Sequence, residues 1–144
     1  MSDLLYAKEV LRLAADASGA GRLPHPDGSH LEHNPTCGDR TIVDLRIENG
    51  RIAAMAHDTK ACVLAQASAS ILGSRLRGST HTDLLGLRAQ IVEMLKGGAS
   101  PEGPFHQYGA LTEVAGFPSR HRCVLLPVDA AIKAYEASQT PEPR

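Results

Sequence analysis

The clearest alternation of apolar and polar side chains lies in the segment Thr41–Glu48, where it predicts a β-strand. The pair Asn49-Gly50 follows directly. It is typical of a two-residue type I′ turn, because both central residues of that turn need positive φ angles. The segment Arg51–His57 then returns as the second strand of a hairpin, with Ile47 opposite Ile52. The expected buried face of the hairpin is formed by Leu45, Ile47, Ile52 and Ala54.

Three further segments are predicted to be helical, the first and third from the spacing of their apolar side chains and the second from its small Ala and Ser residues. The first helix is predicted over residues 3–17, and a polar loop over residues 21–35 follows it. A second helix is predicted over residues 61–77, and Gly78 ends it. Residues 80–83, Thr-His-Thr-Asp, are typical of the start of a third helix, because the first and last side chains can cap each other's backbone amides. The expected apolar faces are Leu4, Val10, Leu11 and Ala14 in the first helix and Leu84, Leu87, Ile91, Met94 and Leu95 in the third.

The C-terminal part of the chain carries weaker signals. Residues 97–117 are rich in glycine and proline, and we predict one short helix there, near Leu111–Val114. The last helix is predicted over residues 124–137. Because a proline is tolerated only in the first turn of a helix, Pro127 requires this helix to begin close to Cys123.

Length and composition favour one globular domain. The chain has 144 residues, of which 42% are hydrophobic and 22% are charged, and it contains no internal repeat. We therefore predict a single α+β domain over residues 1–144. In this domain a small antiparallel sheet with the Asn-Gly hairpin packs against several helices.

Charge and hydropathy exclude two classes of partner. The net charge is −1, from 15 basic and 16 acidic residues, and only 3% of the residues are aromatic. Such a chain has neither the positive charge nor the stacking surfaces that nucleic acids require. It also lacks the run of roughly 18 apolar residues that spans a membrane, and its N-terminal residues do not resemble a secretory signal. We therefore expect a cytoplasmic protein that binds neither nucleic acid nor membrane.

The three cysteines are the main candidates for chemistry. Cys37 lies in the turn that enters the first hairpin strand, Cys62 begins the second helix, and Cys123 begins the last helix. A thiol at a helix N-terminus is shifted toward the thiolate, the form that binds metals and attacks sulfur. Thiols stay reduced in the cytoplasm, so these side chains are metal ligands, nucleophiles or buried residues. They lack the C-x₂-C pairs of zinc fingers, and a shared site with Asp39 is one interpretation among these.

Each cysteine belongs to a short motif. The motifs are Asn34-Pro-Thr-Cys-Gly-Asp-Arg40, Lys60-Ala-Cys-Val-Leu-Ala-Gln-Ala-Ser-Ala-Ser70 and Arg120-His-Arg-Cys123. Together with the order of helix, loop, hairpin and helix, they resemble the iron–sulfur cluster assembly scaffold family, the U-type scaffolds. The resemblance spans nearly the whole chain and implies the fold of that family.

Within this family the chain resembles the zinc-dependent sulfurtransferase (SufU-like) branch, which is paired with the sulfur-mobilisation cysteine desulfurase. Arg122 precedes Cys123 where the housekeeping branch carries a histidine, and Arg120 lies three residues before the same cysteine. The long connection over residues 97–117 is also similar to that branch. In contrast, Lys60 occupies a position where the family usually has glycine, and it puts a charge beside the site.

The resemblance implies a metal site and a role in sulfur transfer. The implied zinc ligands are Cys37, Asp39, Cys62 and Cys123. It assigns persulfide exchange to Cys123 or to Cys37, and we favour Cys37 as the acceptor. The implied partners are a pyridoxal-phosphate cysteine desulfurase and downstream cluster-carrier proteins. The chain would act as a sulfur acceptor or relay rather than as a self-contained enzyme.

Three other interpretations remain open. In the first, the same ligands hold a transient 2Fe–2S cluster, and the chain is the scaffold on which that cluster is assembled. In the second, the chain is a thiol-dependent hydrolase, which needs a histidine within hydrogen-bond reach of a cysteine. His121, two residues before Cys123, is also an alternative metal ligand. In the third, zinc is purely structural, and the loss of any ligand unfolds the chain.

Overall fold

The computed structural model describes residues 7–35 and 38–139, so that Cys37 lies outside the described residues. The strands are β1 (Gly28–His33), β2 (Arg40–Glu48) and β3 (Arg51–Lys60). The helices are α1 (Lys8–Asp16), α2 (Val63–Arg75), α3 (His81–Leu95) and α4 (His121–Gln139), and 3₁₀-helical turns span Gly103–Gly116 and Pro118–Arg120. The strands form one antiparallel sheet in the order β1-β2-β3, and α4 and α2 pack against it. This arrangement confirms the predicted α+β fold class.

The hairpin turn has the geometry that its sequence predicts. Asn49 and Gly50 have φ angles of 53° and 77°, which are the positive values that a type I′ turn requires. The turn places Ile47 opposite Ile52, as predicted. Strand β3 continues to Lys60, beyond its predicted end.

A β-bulge changes which side chains of the hairpin share a face. The register shifts between Arg46 and Ile47, so that Leu45 pairs with Met55 and not with Ala54. A bulge adds one residue to one strand, and every later side chain of that strand then points to the opposite face. The prediction that Ala54 shares the buried face of Leu45 was therefore wrong. Ala54 pairs with the exposed Arg46 instead.

The segment 21–35, which we predicted to be a polar loop, contains strand β1. Its residues, Gly-Ser-His-Leu-Glu-His, include one aliphatic side chain and give no apolar alternation that would predict a strand. The strand forms because its backbone pairs with β2 along its full length. At Gly28 a side-chain carbon would lie 2.0 Å from the carbonyl oxygen of Ala134 in α4, so glycine permits the close approach of helix and strand.

Helix α1 lies within the predicted segment 3–17 but buries a different face. Val10 and Leu13 are buried, whereas Leu11 is 47% exposed. Adjacent helical residues point about 100° apart, so Val10 and Leu11 do not both face α2. The prediction that Leu11 is part of the buried stripe was therefore wrong, and Leu4 of that stripe lies outside the described residues.

Helices α2 and α3 lie close to their predicted positions. Thr80 is the N-cap residue of α3, and its hydroxyl accepts a hydrogen bond of 3.1 Å from the backbone amide of Asp83. The Asp83 carboxylate in turn accepts one of 2.9 Å from the amide of Thr80, which completes the predicted capping arrangement. The predicted apolar face of α3 is buried: Leu84, Leu87, Ile91, Met94 and Leu95.

The Gly/Pro-rich stretch forms two 3₁₀-helical pieces over Gly103–Gly116, which meet at a kink where Phe105 has the non-helical angles φ −103° and ψ 23°. We predicted one short helix near residues 111–114. A 3₁₀-helix has three residues per turn, so side chains three positions apart lie above one another. The buried side chains follow this spacing: Phe105, Tyr108, Leu111 and Val114. A search for the 3.6-residue period of the α-helix does not detect such a pattern.

Helix α4 begins at His121, earlier than predicted, and Pro127 therefore lies in its second turn. The expectation that this proline occupies the first turn was wrong. Because Pro127 has no N–H, it cannot donate the helical hydrogen bond that the carbonyl of Cys123 would otherwise accept. The first turn of α4 consequently depends more on its contacts with other elements. None of the described helices is long and apolar enough to cross a membrane.

Candidate metal centre

Asp39, Cys62 and Cys123 come together at one end of the sheet. One possible ligand atom from each side chain lies within 4.8 Å of the other two. Asp39 directly precedes β2, Cys62 is the N-cap residue of α2, and Cys123 lies in the first turn of α4. These are three of the four residues that the family resemblance implied as ligands. The fourth, Cys37, lies outside the described residues.

A tight backbone arrangement directs Asp39 toward the helices. Gly38 has a φ angle of 77°, and its N–H donates a hydrogen bond of 2.9 Å to the carbonyl of Asn34. The backbone amide of Asn34 donates one of 2.8 Å to the carbonyl of Asp39. The Oδ2 atom of Asp39 then accepts the amide of Cys62 at 3.3 Å and lies 3.9 Å from the Sγ atom of Cys123. The carboxylate thus contacts both cysteine-bearing helices.

A buried hydrogen-bond network fixes the two helices relative to each other. The Ser68 hydroxyl, on α2, donates to the carbonyl of Val124, the residue after Cys123, at 2.7 Å. The Tyr108 hydroxyl lies 2.8 Å from the Ser68 hydroxyl and donates to the Ser68 carbonyl at 3.2 Å. Sequence analysis missed Tyr108, because nothing in a Gly/Pro-rich stretch marks its side chain as part of the core. Buried polar groups that form hydrogen bonds with one another favour one defined packing of the elements that carry them.

The Cys62 thiol is the more acidic of the two described thiols. A hydrogen bond with Cys123 lowers the pKa of Cys62 to about 6, and hydrogen bonds from the backbone amides of Ala65 and Leu64 act in the same direction. Burial and the negative charge of Asp39 raise this pKa, but their effect is smaller. The N-terminal amides of α2 therefore favour a thiolate at Cys62.

The Cys123 thiol has the opposite tendency. Its hydrogen bond with Cys62, its burial and the negative charges of Cys62 and Asp39 all raise the pKa of Cys123 above its ordinary value. A hydrogen bond with the Arg120 side chain opposes them. Negative charge on all three groups at once is unfavourable in the protein alone, and a bound cation would remove that repulsion.

In metal-free protein we expect Cys62 to react with iodoacetamide at least about tenfold faster than Cys123 at pH 7, because the thiolate is the nucleophile. The lowered pKa makes Cys62 mainly thiolate above pH 6 and mainly thiol below it. Its alkylation rate should therefore fall about tenfold between pH 7 and pH 5. Mass spectrometry of the separated peptides measures each cysteine individually. Equal rates at the two cysteines, or a Cys62 rate that still rises steeply above pH 8, would contradict the assigned order of acidity.

The donor set fits zinc or iron. Two thiolates and one carboxylate match the ligands that these metals accept, and a hard cation such as Mg²⁺ would not select sulfur. Cys123 is 3% exposed, whereas Asp39 and Cys62 are partly exposed, so the centre is open to solvent on one side. A tetrahedral ion held by these three donors has one further position to fill. In sequence, Cys37 is only two residues from Asp39.

His121, the predicted alternative ligand, does not belong to this group. Within residues 7–35 and 38–139, the cluster of possible ligand atoms contains no histidine. The Nε2 atom of His121 instead lies 3.0 Å from the carbonyl of Val114 and 3.3 Å from that of Ala115. This ring nitrogen therefore binds the 3₁₀ segment, and the structure gives no support to a Cys123–His121 nucleophilic pair.

Comparison with known sequences finds several relatives. The family model of the NifU-like N terminal domain matches residues 5–115, a range that includes Asp39 and Cys62 and ends before Cys123. The iron-sulfur cluster assembly scaffold protein IscU of Thermotoga maritima is 24% identical over 123 residues, which are 85% of this chain and 87% of the relative. The zinc-dependent sulfurtransferase SufU of Bacillus subtilis is 25% identical over 95 residues, 65% of each chain.

Comparison with solved structures also finds similar proteins. The N-terminal part of a nitrogen-fixing NifU-like protein from Brucella abortus superposes with a TM-score of 0.91 and 32% identity, over 96% of each chain. A putative iron-sulfur cluster assembly scaffold protein for the SUF system from Fervidobacterium islandicum superposes with a TM-score of 0.84. Its identity is 19%, over 94% of this chain and 99% of the other, so this likeness concerns the fold alone.

Proposed function

Because the chain belongs to the NifU-like N-terminal domain family and is an iron–sulfur cluster assembly scaffold protein, we propose that it binds zinc and accepts persulfide sulfur from a cysteine desulfurase. The proposed zinc ligands are Cys37, Asp39, Cys62 and Cys123. The observation that carries the proposal is the approach of two thiols and one carboxylate within 4.8 Å, from three separate elements. The name of the Bacillus subtilis relative, a zinc-dependent sulfurtransferase, supports the same choice of metal and chemistry.

The proposed zinc ligands differ in their chemistry. Zinc bound there would keep the thiols deprotonated and would bring no redox chemistry of its own. Cys62 and Cys123 are the soft donors on the two helices. Asp39 supplies a harder oxygen, which is the more easily displaced ligand. The carboxylate is thus the weakest of the proposed donors, and the two helices supply firm thiolate donors.

Cys37 is the proposed sulfur acceptor. Its thiolate attacks the terminal sulfur of a persulfide on the desulfurase, and a new S–S bond forms at Cys37. The S–S bond of the donor breaks at the same time, and its electron pair leaves with the desulfurase cysteine as a thiolate. One persulfide is exchanged for another, so the transfer needs neither oxidant nor reductant.

A second candidate function is supported by the names of the relatives called IscU. In this alternative the same four residues hold a 2Fe–2S cluster, which is cargo that the scaffold passes on. The Thermotoga maritima relative, which aligns with 85% of the chain, bears the name of a cluster assembly scaffold. Against this alternative, Arg122 occupies the position before Cys123 where the housekeeping scaffolds carry a histidine.

Elemental analysis of anaerobically purified protein tests the two candidates against each other. We expect about one zinc per chain, with free thiols that become measurable only after chelation. Iron with labile sulfide would favour the cluster scaffold, and the absence of both metals would contradict both candidates. Incubation with a desulfurase and isotopically labelled cysteine should then place labelled sulfur on Cys37, and a Cys37→Ala variant should acquire none. Labelling in that variant equal to wild type would contradict the acceptor assignment.

A further inference from the structure

Three basic side chains form a row across the end of the sheet that adjoins the metal centre. His33 of β1 lies opposite Arg40 of β2, and Arg40 lies opposite Lys60 of β3. Residues that face each other in neighbouring strands point to the same side of the sheet, so the three side chains share one face. All three are exposed.

The two permanent charges of this row are not neutralised within the described residues. The side chains of Arg40 and Lys60 form no hydrogen bond or ion pair with any other residue in 7–35 and 38–139. Like charges directly opposite each other destabilise a sheet. The fold therefore retains an unfavourable pair at this place, and a negatively charged group from outside would relieve it.

The next row of the same face provides an apolar surface. Leu31 lies opposite Ile42, and Ile42 lies opposite Asp58. Leu31 is 50% exposed and is one of the few large apolar side chains that reach the surface among the described residues. A depression of about 190 Å³, with room for one apolar side chain, is lined by Leu31, Arg40, Ile42, Asp58 and Lys60.

We propose that this face of the sheet is a docking surface for an acidic segment of the cysteine desulfurase. A carboxylate of that segment contacts Arg40 and Lys60, and a neighbouring apolar side chain fills the depression over Leu31. The inference rests on the proposed function, because it takes the sulfur donor as the partner. Arg40 directly follows Asp39, and Lys60 lies two residues before Cys62, so the proposed docking surface and the metal centre lie at the same end of the sheet.

The chemistry of the surface favours a protein over a polyanion. The Asp58 carboxylate lies in the same depression and limits its positive charge, so the surface suits one carboxylate at Arg40 and Lys60 rather than a continuous row of phosphates. The net charge of the whole chain is −1, which gives no general attraction to nucleic acid. An apolar floor next to cations suits a peptide that alternates acidic and apolar residues.

The test is the affinity of the zinc-loaded chain for the cysteine desulfurase of the same organism, measured by isothermal titration calorimetry. The double variant R40E/K60E should bind at least about tenfold more weakly than wild type, because two attractive charges become repulsive. R40Q/K60Q should show a smaller loss in the same direction. Wild-type affinity should also fall between 50 and 300 mM salt, and the loss should be much smaller for R40Q/K60Q.

Arg46→Glu is the matched control. Arg46 is exposed on the same strand, six residues beyond Arg40 and so about 20 Å from it. This variant should keep wild-type affinity within about twofold, since charges beyond a Debye length are screened. Circular dichroism and zinc content verify that each variant is folded and loaded. A variant that fails this check is replaced by R40Q/K60Q, which changes no side chain to the opposite charge.

Wild-type affinity in R40E/K60E would overturn the proposal, and so would an equal loss in Arg46→Glu. Loss of binding to a duplex RNA oligonucleotide, with desulfurase affinity unchanged, would assign the face to a different partner and also overturn it. A different outcome would contradict the proposed function and leave the docking surface intact. If wild-type protein binds the desulfurase in the predicted charge-dependent way but Cys37 acquires no sulfur, the docking surface stands and the acceptor role does not.

Discussion

Cys62→Ala is expected to weaken zinc binding by more than about 100-fold, because even the loss of an outer-shell contact to a metal ligand costs up to about that much. The variant removes the more acidic thiol and leaves only Asp39 and Cys123 of the three described donors. Most of the helical signal should remain, since the core of α2 lies farther along the helix, from Leu64 to Leu72. Competition with a chromophoric chelator measures the affinity, and circular dichroism measures the helical content.

Two further variants test whether the loss of zinc affinity in Cys62→Ala is specific to the metal centre. Ser74→Ala changes an exposed residue at the far end of the same helix and should keep wild-type zinc affinity. Asp39→Ala should lose less affinity than Cys62→Ala, because a carboxylate is a weaker zinc ligand than a thiolate. Wild-type affinity in Cys62→Ala would exclude that residue as a ligand. Complete unfolding of the variant would instead support the structural-zinc interpretation.

Gly73→Ala is expected to lower the free energy of unfolding by about 2–3 kcal/mol, the range of a strongly overpacked core position. A side-chain carbon at Gly73, in α2, would lie 1.9 Å from the backbone carbonyl oxygen of Ser18 and 3.0 Å from the Cα atom of Gly19. Both neighbours are backbone atoms, so no side chain can rotate away. The loop after α1 must therefore move away from α2, and its contacts with the sheet are strained.

Gly86→Ala is the control, and its effect should have the opposite sign. Gly86 also lies inside a helix, α3, but nothing lies within 4 Å of the position that a side-chain carbon would occupy. Alanine is favoured over glycine in a helix interior by about 1 kcal/mol, so this variant should be more stable than wild type. Urea denaturation followed by circular dichroism measures both. Equal stability of Gly73→Ala and wild type would contradict the close packing of the loop after α1 against α2.

Local signals in the sequence predicted the elements whose structure is determined locally. The Asn49-Gly50 turn needs only its own two residues, and the cap formed by Thr80 and Asp83 needs only one helical turn. The buried face of α3 follows a regular period. In each case the deciding interactions lie within a few residues of one another, so the pattern in the chain is sufficient.

The elements that the sequence did not predict depend on distant partners. Strand β1 contains almost no apolar residues and is stable because β2 and α4 lie beside it. The bulge between Arg46 and Ile47 has no marker such as a glycine. The start of α4 at His121 is set by the preceding 3₁₀ turn, although Pro127 alone favours a later start.

The candidate site was only partly accessible from the sequence. That Cys62 and Cys123 begin helices followed from the pattern of each segment. Their approach to each other and to Asp39 was implied by the family motifs, because spacing along the chain carries no such information. The contact of Arg120 with Cys123 and the network around Tyr108 depend on tertiary packing and had no signal in the sequence.

The contact between Cys123 and Asp39 joins residues that are 84 positions apart. A ribosome that adds roughly 5–20 residues per second needs about 4–17 s to make the chain between them. Asp39 and Cys62 are synthesised before Cys123. For part of that interval the nascent chain therefore carries only two of the three described donors. The nascent chain therefore offers only a partial set of ligands, and firm metal binding has to wait until α4 has been synthesised and has packed against the sheet.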